Sequence, residues 1–531
     1  MNTRNDTSAD PSPSTAIQVD HRTMLDTIEK IWPQIAPIQG ARLRDAIRSI
    51  PEAEWRTRPR ILLALAASHR SVGSTSRSAA LPWFRAVQKN IQADPTSDLD
   101  VRAGYLIHLA ATQRSLGSLH ASKENLERAR TMIEGDESLE ISKRISLSAS
   151  FSLQLGLVRI HLGAFDEALF ALSLAEGLAD EHLSTAEKVE CLSALAFVNF
   201  LLGDFPVAEE QADLAEQHAE GTDLFRSTFA ALAHITRFML AVDQADATTE
   251  LGQLIGDLRV CTAGSDWEPQ AVFAEALARY DRGAFIETLD LLGRVARLLA
   301  PFVGEVLVSS ASDIHRAETM RMLGEVEQAR RLSAALTPSQ HHVTCPASIQ
   351  ALSHFTVGDP QAALDVLADC LELGDLHSTR SMAQVYAITA AAQNDLDNPV
   401  ASNIAFDRAL LVAATHGTTW PFQTLPGEVV DRLLARAAAR VQSPIVAALV
   451  ERLHGTPHED TQPLADPLSD RELVIVRHLA TGATLSQIGA ELFISVNTVK
   501  SHVRSIYRKL SATNRREAIT RANQLGLTEE R

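Results

Sequence analysis

The chain has 531 residues, too many for a single hydrophobic core, so we expect two or more domains. No stretch approaches the roughly 18 uninterrupted apolar residues of a membrane span, and no signal peptide is recognisable. The net charge is −17, and the four cysteines show no close pairing, which is typical of reduced thiols. Composition therefore excludes a disulfide-stapled secreted domain and a membrane partner, and it predicts a cytoplasmic protein.

The N-terminal residues differ in composition from the rest of the chain. Residues 1–18 are polar and rich in Ser, Thr, Asp and Pro, so they cannot bury enough apolar surface to fold and are predicted to be disordered. Residues 19–454 read as helices throughout, with elevated Ala and only 5% aromatic residues in the chain. This composition favours closely packed helical hairpins.

A repeated turn organises residues 19–454. The segments LGAFDEALFALSLAE and LGDFPVAEEQADLAE, forty residues apart, each place a Gly, an aromatic residue two positions on and Ala residues further along. Periods of roughly 34 to 46 residues are typical of stacked helical hairpins. The predicted turns are Gly73, Gly117, Gly163, Gly203, Asp243 as a degenerate copy, Gly283, Gly324, Gly358 and Asn394.

One segment of the repeats carries residues that can bind metals. His341, His342 and Cys345 lie close together in sequence, but the short spacing and the missing fourth ligand predict a surface loop and no metal site.

Nothing in the repeats predicts a cofactor or an enzyme. A nucleotide-binding P-loop needs a Gly-rich turn that ends in Gly-Lys, and none of the seven lysines follows a Gly. No dinucleotide fingerprint, nucleophile elbow or paired carboxylates appear either, so the sequence predicts no enzymatic activity.

A short linker separates the repeats from the C-terminal residues. Residues 455–467 read GTPHEDTQPLADP, with three prolines and few apolar residues, and such clusters mark linkers. A hinge at this position would let the repeats control how the C-terminal domain is presented.

Residues 468–527 carry the start signals of four short helices. A side-chain oxygen at a helix start accepts from an orphan backbone N–H, and an acid or amide three residues on can reciprocate. This pairing is predicted for Ser469 with Glu472, Thr484 with Gln487, and Asn514 with Glu517, while Ser495 caps without a reciprocal acid. The sequence therefore predicts a small four-helix domain.

The third of these helices, predicted over about 496–510, has two distinct faces. One face is a buried stripe of Val499, Val503, Ile506 and Leu510, recurring at helical spacing. The opposite face carries Lys500, Arg504 and Arg508 at i, i+4 and i+8, together with Ser501 and Ser505. Like charges at this spacing repel one another, so the row indicates that a polyanion lies against it. The second helix is predicted over about 485–492, and the break at 493–495 is the turn of a helix-turn-helix.

The charge of the domain agrees with this interpretation. Residues 466–527 hold nine Lys and Arg against five Asp and Glu, a net of +4, so the rest of the chain carries −21. A basic module on an acidic protein is typical of a nucleic-acid reader.

This run resembles the LuxR-type helix-turn-helix family, whose pattern includes a start like LSDRE, then SxNTVKxHxxxIxxKL, then NRxEA. The chain matches the pattern at Ser495, Asn497, Thr498, Val499, Lys500, His502, Ile506, Lys509, Leu510, Asn514, Arg515, Glu517 and Ala518. The resemblance covers about sixty residues and implies that the third helix enters the major groove of double-stranded DNA.

The resemblance also implies roles for individual residues. Lys500, Ser501 and Arg504 are expected at base edges, where Lys or Arg opposite guanine is the commonest specific contact. Phosphate contacts, which set the register of the protein on DNA, are expected from a larger set at the rims. That set is Thr484, Asn497, Thr498, His502, Arg508, Lys509, Asn514 and Arg515. For each of them a solvated polar side chain is the alternative. Glu472 is expected to act structurally, as a capping acid and intradomain ion-pair partner.

Members of this family bind DNA as dimers through the fourth helix. Ala518 and Ala522 form a small-residue i, i+4 ridge that would allow close approach, so they are the candidate dimerisation residues. Packing inside the domain is the alternative for this ridge.

The expected fold is all-α: a tetratricopeptide-like solenoid of helical hairpins over 19–454, joined to a helix-turn-helix domain over 468–527. Residues 40–440 also resemble, more diffusely, the helical-repeat region of MalT-like regulators, which are large LuxR-type activators. Those regulators carry an N-terminal ATPase, whereas no P-loop is present here.

The leading hypothesis is a sequence-specific transcriptional regulator whose repeats sense a peptide, protein or small-molecule effector. The alternative is a DNA-tethered interaction scaffold without direct sensing. A closed apolar pocket with a few polar groups favours sensing, and a surface fitted to an extended peptide favours the scaffold.

Overall fold

The computed structural model describes residues 20–71, 77–94, 97–135, 139–243, 250–302, 304, 306–322, 325–440, 443–455, 468–492, 494–510, 512 and 515–528. The predicted all-α fold is confirmed, because every regular element in these ranges is a helix. None of the described helices is long and apolar enough to cross a membrane. The predicted disordered segment 1–18 and nearly all of the predicted linker 455–467 fall outside the described residues.

The chain divides into two compact units, Met1–Ser97 and Asp98–Arg531. This division falls inside the range 19–454, and the predicted domain bounds remain a prediction. The described residues of the first unit form four α-helices and two 3-10 helices, Ser68–Arg70 and Ser78–Ala80. Its α-helices are α1 (His21–Arg48), α2 (Glu52–Trp55), α3 (Pro59–Ala67) and α4 (Leu81–Ala93).

The second unit contains the helical repeats and the C-terminal domain. The repeat helices are α5 (Leu99–Ser115), α6 (Leu119–Gly135), α7 (Ile141–His161), α8 (Phe165–Gly177), α9 (Ala179–His182), α10 (Thr185–Leu202), α11 (Phe205–His218), α12 (Ala231–Asp243), α13 (Glu250–Thr262), α14 (Glu268–Tyr280), α15 (Phe285–Leu298), α16 (Leu307–Met322), α17 (Val326–Ala334), α18 (Pro346–Thr356), α19 (Pro360–Leu373), α20 (Thr379–Asp395), α21 (Pro399–His416), α22 (Trp420–Gln423), α23 (Gly427–Ala438) and α24 (Pro444–Gly455). Where the structure describes the residues between them, three 3-10 helices are found: Thr228–Ala230, Gln340–His342 and Gly374–Leu376. The C-terminal helices are α25 (Asp470–Ala480), α26 (Leu485–Glu491), α27 (Val496–Lys509) and α28 (Arg515–Gln524).

Successive repeat helices pack as hairpins, and the predicted glycine turns join them. Left-handed backbone, which only Gly adopts at little cost, is found at Gly117, Gly163, Gly203, Gly283 and Gly358. These five predicted turns are confirmed. The predicted turns at Gly73 and Gly324 lie outside the described residues.

The two predicted turns without a glycine behave differently. The Asn394 prediction was wrong by three residues, because α20 continues to Asp395 and the left-handed residue is Asp397. Asp243 is the last described residue of α12, and residues 244–249 lie outside the described ones, so the turn predicted there stays a prediction. The Asp243 carboxylate pairs with Arg380 at 2.7 Å, so this residue has a tertiary role.

Small and apolar residues hold each hairpin together. Phe165, Ala168 and Ala175 of α8 are fully buried against α7 and α10. In two hairpins a buried serine also donates to the carbonyl twelve residues earlier, on the partner helix: Ser122 to Ala110 at 2.8 Å and Ser402 to Ala390 at 2.9 Å. The same separation in two hairpins shows that the repeats share one packing register.

The first helices of the hairpins form the inner layer of the array. Helices α10, α12, α14, α16, α18 and α20 contact their neighbours in this order, and the array also curves back on itself, so that α7 contacts α16 and α10 contacts α20. A buried cluster strengthens the inner layer: Arg114 pairs with Glu190 at 3.1 Å and with Asp266, whose carboxylate also accepts from His161. The curvature encloses a space that separate hairpins would leave open.

Candidate functional site

The C-terminal domain begins its helices at the predicted caps. The Ser469 hydroxyl accepts from the Glu472 N–H at 3.4 Å, while the Glu472 carboxylate accepts from the Ser469 N–H at 2.8 Å. Thr484 and Gln487 form the same reciprocal pair. The Ser495 hydroxyl accepts from the Thr498 N–H at 3.1 Å and opens α27. Two predicted capping boxes and the Ser495 cap are therefore confirmed, and the Asn514 box lies outside the described residues.

The buried stripe fixes the orientation of α27. Val499, Val503, Ile506 and Leu510 are between 0% and 7% exposed and pack with Ile475, Ile488 and the other core residues of the domain. The predicted stripe is confirmed. Because these residues face inward, helical geometry turns Lys500 and Arg504 outward, and both side chains are exposed.

Three further predicted DNA contacts can be placed in this domain. Thr498 is exposed at the start of α27, and Thr484 is exposed at the start of α26. His502 is half-buried on the flank of α27. Asn514 lies outside the described residues, as do the side chains of Asn497, Ser501 and Arg508. The residues that can be placed thus bring two cations and two hydroxyls to the surface of one small domain.

Lys509 serves the interior of the domain rather than its surface. Its ammonium donates to Glu472 at 2.9 Å, and the two side chains are 13% and 5% exposed. Burial opposes ionisation of Glu472, but hydrogen bonds from Ser505, Ser469 and Lys509 outweigh it and lower the pKa of Glu472 to about 2. The predicted phosphate contact by Lys509 does not fit, because its charge is used to compensate a buried carboxylate. The expected structural role of Glu472 is confirmed.

Arg515 also has a structural role. Its guanidinium donates to the Leu479 carbonyl at 2.6 Å and to the Ala483 carbonyl at 2.9 Å. These carbonyls belong to the end of α25 and the turn after it, where the last groups of a helix lack intrahelical partners. Arg515 thus caps α25 and ties α28 to it, which replaces the predicted phosphate contact.

The candidate dimerisation ridge is not on the surface. Ala518 and Ala522 are both 0% exposed and belong to the core of the C-terminal domain. The prediction that this ridge meets a second copy was wrong, because i, i+4 spacing of small residues serves intradomain packing equally well. Sequence spacing alone does not distinguish the two uses.

A second candidate site is a cavity in the inner layer of the repeats. It is lined by residues of α10, α12, α14, α16, α18, α20 and α22, and its walls are mostly apolar, including Phe197, Met239, Phe273, Leu277 and Trp420. The lining residues come from seven helices and span more than two hundred positions of the chain. No local sequence signal could therefore have indicated the cavity.

Four polar atoms in the cavity wall are buried without a protein partner. One end of the Gln270 amide, one end of the Gln384 amide, Nδ1 of His315 and the Thr344 hydroxyl all lack a hydrogen bond. Buried polar groups are usually paired, since leaving one unpaired costs about 1–3 kcal/mol. All four residues line the same cavity.

The charges at the cavity are balanced within the protein. Arg380 lies in the wall, donates to both carboxylate oxygens of Asp243 at 2.7 and 2.9 Å, and lies 4.8 Å from the ring centre of Trp420. Burial, followed by the charge of Arg380, lowers the pKa of His315 to about 4, so its imidazole is neutral at pH 7. The cavity therefore presents hydrogen-bonding groups without a free charge.

The segment predicted as a surface loop is half-buried at residues 341–344 and buried at Cys345. Cys345 is 5% exposed and its Sγ lies 3.5 Å from both His342 Nδ1 and Cys370 Sγ. His377 completes a group of four metal-binding side chains. The expected lack of a fourth ligand was wrong, because tertiary packing brings in two ligands from 25 and 32 residues further along the chain. His341, by contrast, points away and bonds Asp166 at 2.8 Å.

Comparisons with known proteins agree with the C-terminal domain. Residues 466–522 match the family model described as "Bacterial regulatory proteins, luxR family". A nitrate/nitrite response regulator protein homolog of Haemophilus influenzae is 37% identical over 94 residues, which are 17% of this chain and 42% of that protein. The transcriptional regulator MalT of Vibrio cholerae is 36% identical over 76 residues, which are 14% of this chain and 8% of that protein.

These matches concern short segments. The chain spans less than half the length of either relative. Among solved structures, "Crystal structure of APC/C hetero-tetramer Cut9-Hcn1" contains a chain that superposes with a TM-score of 0.35 at 12% identity, over 82% of this chain and 95% of that chain. That likeness is too distant to bear on function.

Proposed function

Because the C-terminal domain is a LuxR-type helix-turn-helix domain, we propose that this chain is a sequence-specific DNA-binding transcriptional regulator of the cytoplasm. The observation that carries the proposal is the pair of exposed cations on α27, Lys500 and Arg504, opposite a fully buried stripe. An α-helix fits the major groove, and these two side chains then reach base edges. Ser501, between them in sequence, is the third proposed base contact.

The set of residues proposed to contact phosphate is smaller than the set that the sequence alone indicated. Thr484 and Thr498 remain, since both are exposed at helix starts, where backbone N–H groups favour anions. Asn497, His502, Arg508 and Asn514 are retained from the resemblance. Lys509 and Arg515 are withdrawn, because their hydrogen bonds are made within the domain.

We also propose a homodimer on DNA. Two domains on adjacent half-sites read twice as many bases as one, which is the general reason that such readers pair. The surface that pairs cannot be the buried alanine ridge. Among the described side chains of α28, Thr520 and Asn523 are exposed and lie on the face opposite this ridge.

We propose further that the repeats sense a small, uncharged and mainly apolar effector in the inner cavity. An enclosed apolar site with a few converging polar groups is typical of small-molecule binding, whereas an interaction scaffold needs an open surface. The effector would supply partners to the amides of Gln270 and Gln384, to His315 and to Thr344. Such a ligand shifts activity only if it binds one state of the protein better than another.

The DNA-binding proposal is tested with the double variant Lys500→Ala, Arg504→Ala. Genome-wide immunoprecipitation of the intact protein should give sharp sites that share a motif. Binding of the variant to such a site should be weaker by a factor of at least ~10, since each good base contact discriminates by about 1–3 kcal/mol. Fluorescence anisotropy with a labelled duplex measures the loss.

The matched control removes two cations elsewhere. Arg408 and Arg432 are exposed on repeat helices α21 and α23, so Arg408→Ala, Arg432→Ala makes the same change in net charge. This control should bind the site like the unaltered protein. An equal loss of DNA affinity in both variants would mean that net charge alone determines binding. No loss of affinity in either variant would refute base reading by α27.

A further inference from the structure

Four metal-binding side chains meet at the junction of α18, α19 and α20. They are His342, Cys345, Cys370 and His377, and one ligand atom from each lies within 4.8 Å of every other. His342 Nδ1 is 3.5 Å from each sulfur, and the two sulfurs are 3.5 Å apart. Bonds of about 2.3 Å to sulfur and 2.0–2.1 Å to nitrogen give tetrahedral edges of about 3.4–3.8 Å. The separations among His342, Cys345 and Cys370 match those edges, and the fourth ligand lies within 4.8 Å of each of them.

His377 is oriented as a metal ligand would be. The ring is 3% exposed, and its Nδ1 lies 3.1 Å from the Ser378 carbonyl, to which it donates. Nε2 is buried and has no protein partner. A histidine ligand characteristically donates one ring nitrogen to a carbonyl, which leaves the lone pair of the other for the metal. A bound ion would supply the partner that Nε2 lacks.

His342 is held in place at a conformational cost. His341 and His342 both have left-handed backbone, with φ of 53° and 49°, which is unusual for residues other than Gly. Three hydrogen bonds fix the segment: the Ser378 N–H to the His341 carbonyl at 2.6 Å, the Ser381 hydroxyl to the His342 carbonyl at 2.9 Å, and His341 to the Leu376 carbonyl at 2.8 Å. Strain held this firmly is typical of functional sites.

We propose that His342, Cys345, Cys370 and His377 form a zinc site. Two thiolates neutralise a divalent cation, so a buried site of this composition carries no net charge. Two sulfurs and two imidazole nitrogens in tetrahedral arrangement favour Zn²⁺ over Mg²⁺ or Ca²⁺, which take oxygen ligands. All four positions are filled by protein, as in structural rather than catalytic zinc sites.

The site has a consequence for the inner cavity. Thr344 and Cys345 both line the cavity, and Ser381, which holds the His342 carbonyl, lines it as well. Zinc would therefore fix one wall of the cavity by joining the segment before α18 to α19 and to the start of α20. The zinc site does not depend on DNA binding, so the two proposals can fail separately.

The test is the metal content of the full-length protein purified from zinc-replete cells. Elemental analysis should find about one zinc per chain. Replacement by Co²⁺ should give the visible d–d bands and thiolate charge-transfer absorption of a tetrahedral site. Cys370→Ser and His377→Gln should each lose the bound zinc. The control Cys261→Ser, a buried thiol that donates to the Phe225 carbonyl in another repeat, should retain it.

Two outcomes would overturn the proposal. One is unaltered protein that contains no zinc and gives no tetrahedral cobalt spectrum after reconstitution. The other is a Cys345–Cys370 disulfide, which would leave two free thiols under denaturing conditions instead of the four expected. Neither outcome depends on the variants, so a variant that fails to fold does not hide the answer.

Discussion

At the scale of single residues, Glu472 shows how one side chain serves two purposes. It completes the cap of α25 and compensates Lys509, and these hydrogen bonds lower its pKa from 4.5 to about 2. A carboxyl whose pKa falls on folding stabilises the folded state above its unfolded pKa, and this stabilisation is lost as pH falls toward the folded pKa. The C-terminal domain should therefore keep constant stability above about pH 5 and lose up to about 3 kcal/mol between pH 4.5 and 2.

Hydrogen exchange of peptides from α25 and α27, corrected for intrinsic amide exchange rates, measures this dependence. Glu472→Gln should exchange faster at pH 7 and lack the loss below pH 4.5. Glu491→Gln removes a 62% exposed carboxylate, 3.3 Å from His478, and should change little. If Glu472→Gln still lost protection at acid pH, a group other than Glu472 would be responsible for that loss.

At Gln384, the presence of a buried amide is not explained by a contribution to the stability of the fold. It is 2% exposed and one end of its amide lacks a protein partner, so Gln384→Leu should leave the Tm unchanged or raise it. Gln211→Leu is the matched control, because Gln211 accepts from Asn199 at 2.8 Å and its loss should cost about 1 kcal/mol. Calorimetry measures the Tm of both variants. A lower Tm for Gln384→Leu would show that the amide of Gln384 already has its hydrogen-bond partners.

At the scale of elements, the glycine turns look alike in sequence but differ in what surrounds them. Gly163 and Gly203 both have left-handed backbone, at φ of 70° and 97°. A Cβ at Gly163 would meet only Leu307 at 3.9 Å, whereas at Gly203 it would meet Thr379 Cβ at 2.8 Å and the Arg380 N–H nitrogen at 3.1 Å. The second turn thus packs directly against the start of α20.

Alanine at these two turns should therefore have unequal effects. Gly163→Ala should cost about 1 kcal/mol, the price of left-handed backbone for an L-residue. Gly203→Ala should cost at least about 1 kcal/mol more, because α20 must also move. Denaturant midpoints of the two variants measure the difference in stability. Equal midpoints would show that α20 moves without a measurable cost in stability.

At the scale of the whole molecule, the C-terminal domain rests against a repeat of the same compact unit. Ile286 of α15 is 8% exposed and packs into the core that includes Leu525 and Leu527. Gly526 lies so close to Gly283 and Ala284 that a Cβ there would overlap their backbone. This contact joins the repeats directly to the domain that holds α27.

Ile286→Asp should release the C-terminal domain, because a buried unpaired carboxylate is costly. Hydrogen exchange should increase in peptides covering 283–286 and 525–528. DNA affinity should change by less than about twofold, since Lys500 and Arg504 are already exposed in the docked arrangement. Val357→Asp, at a 62% exposed position, is the control. Unchanged exchange at 525–528 would show that the contact does not hold the domain.

The sequence by itself determined the features that depend on near neighbours in the chain. Caps at Ser469, Thr484 and Ser495 act over three residues, the stripe of α27 has helical period, and the glycine turns recur at the repeat length. These local patterns predicted the all-α fold and the identity of the C-terminal domain. The exposure of Lys500 and Arg504 followed, because a buried stripe leaves only the opposite face of a helix exposed.

The tertiary structure decided everything that depends on distant residues meeting. Whether Ala518 and Ala522 face a second copy or the core, and whether Lys509 and Arg515 face phosphate or the interior, depended on where neighbouring helices lie. The cavity and the Cys345–Cys370 cluster exist only because hairpins stack and curve. Sequence spacing gives the faces of one helix, but the burial of a face depends on which partner the fold brings against it.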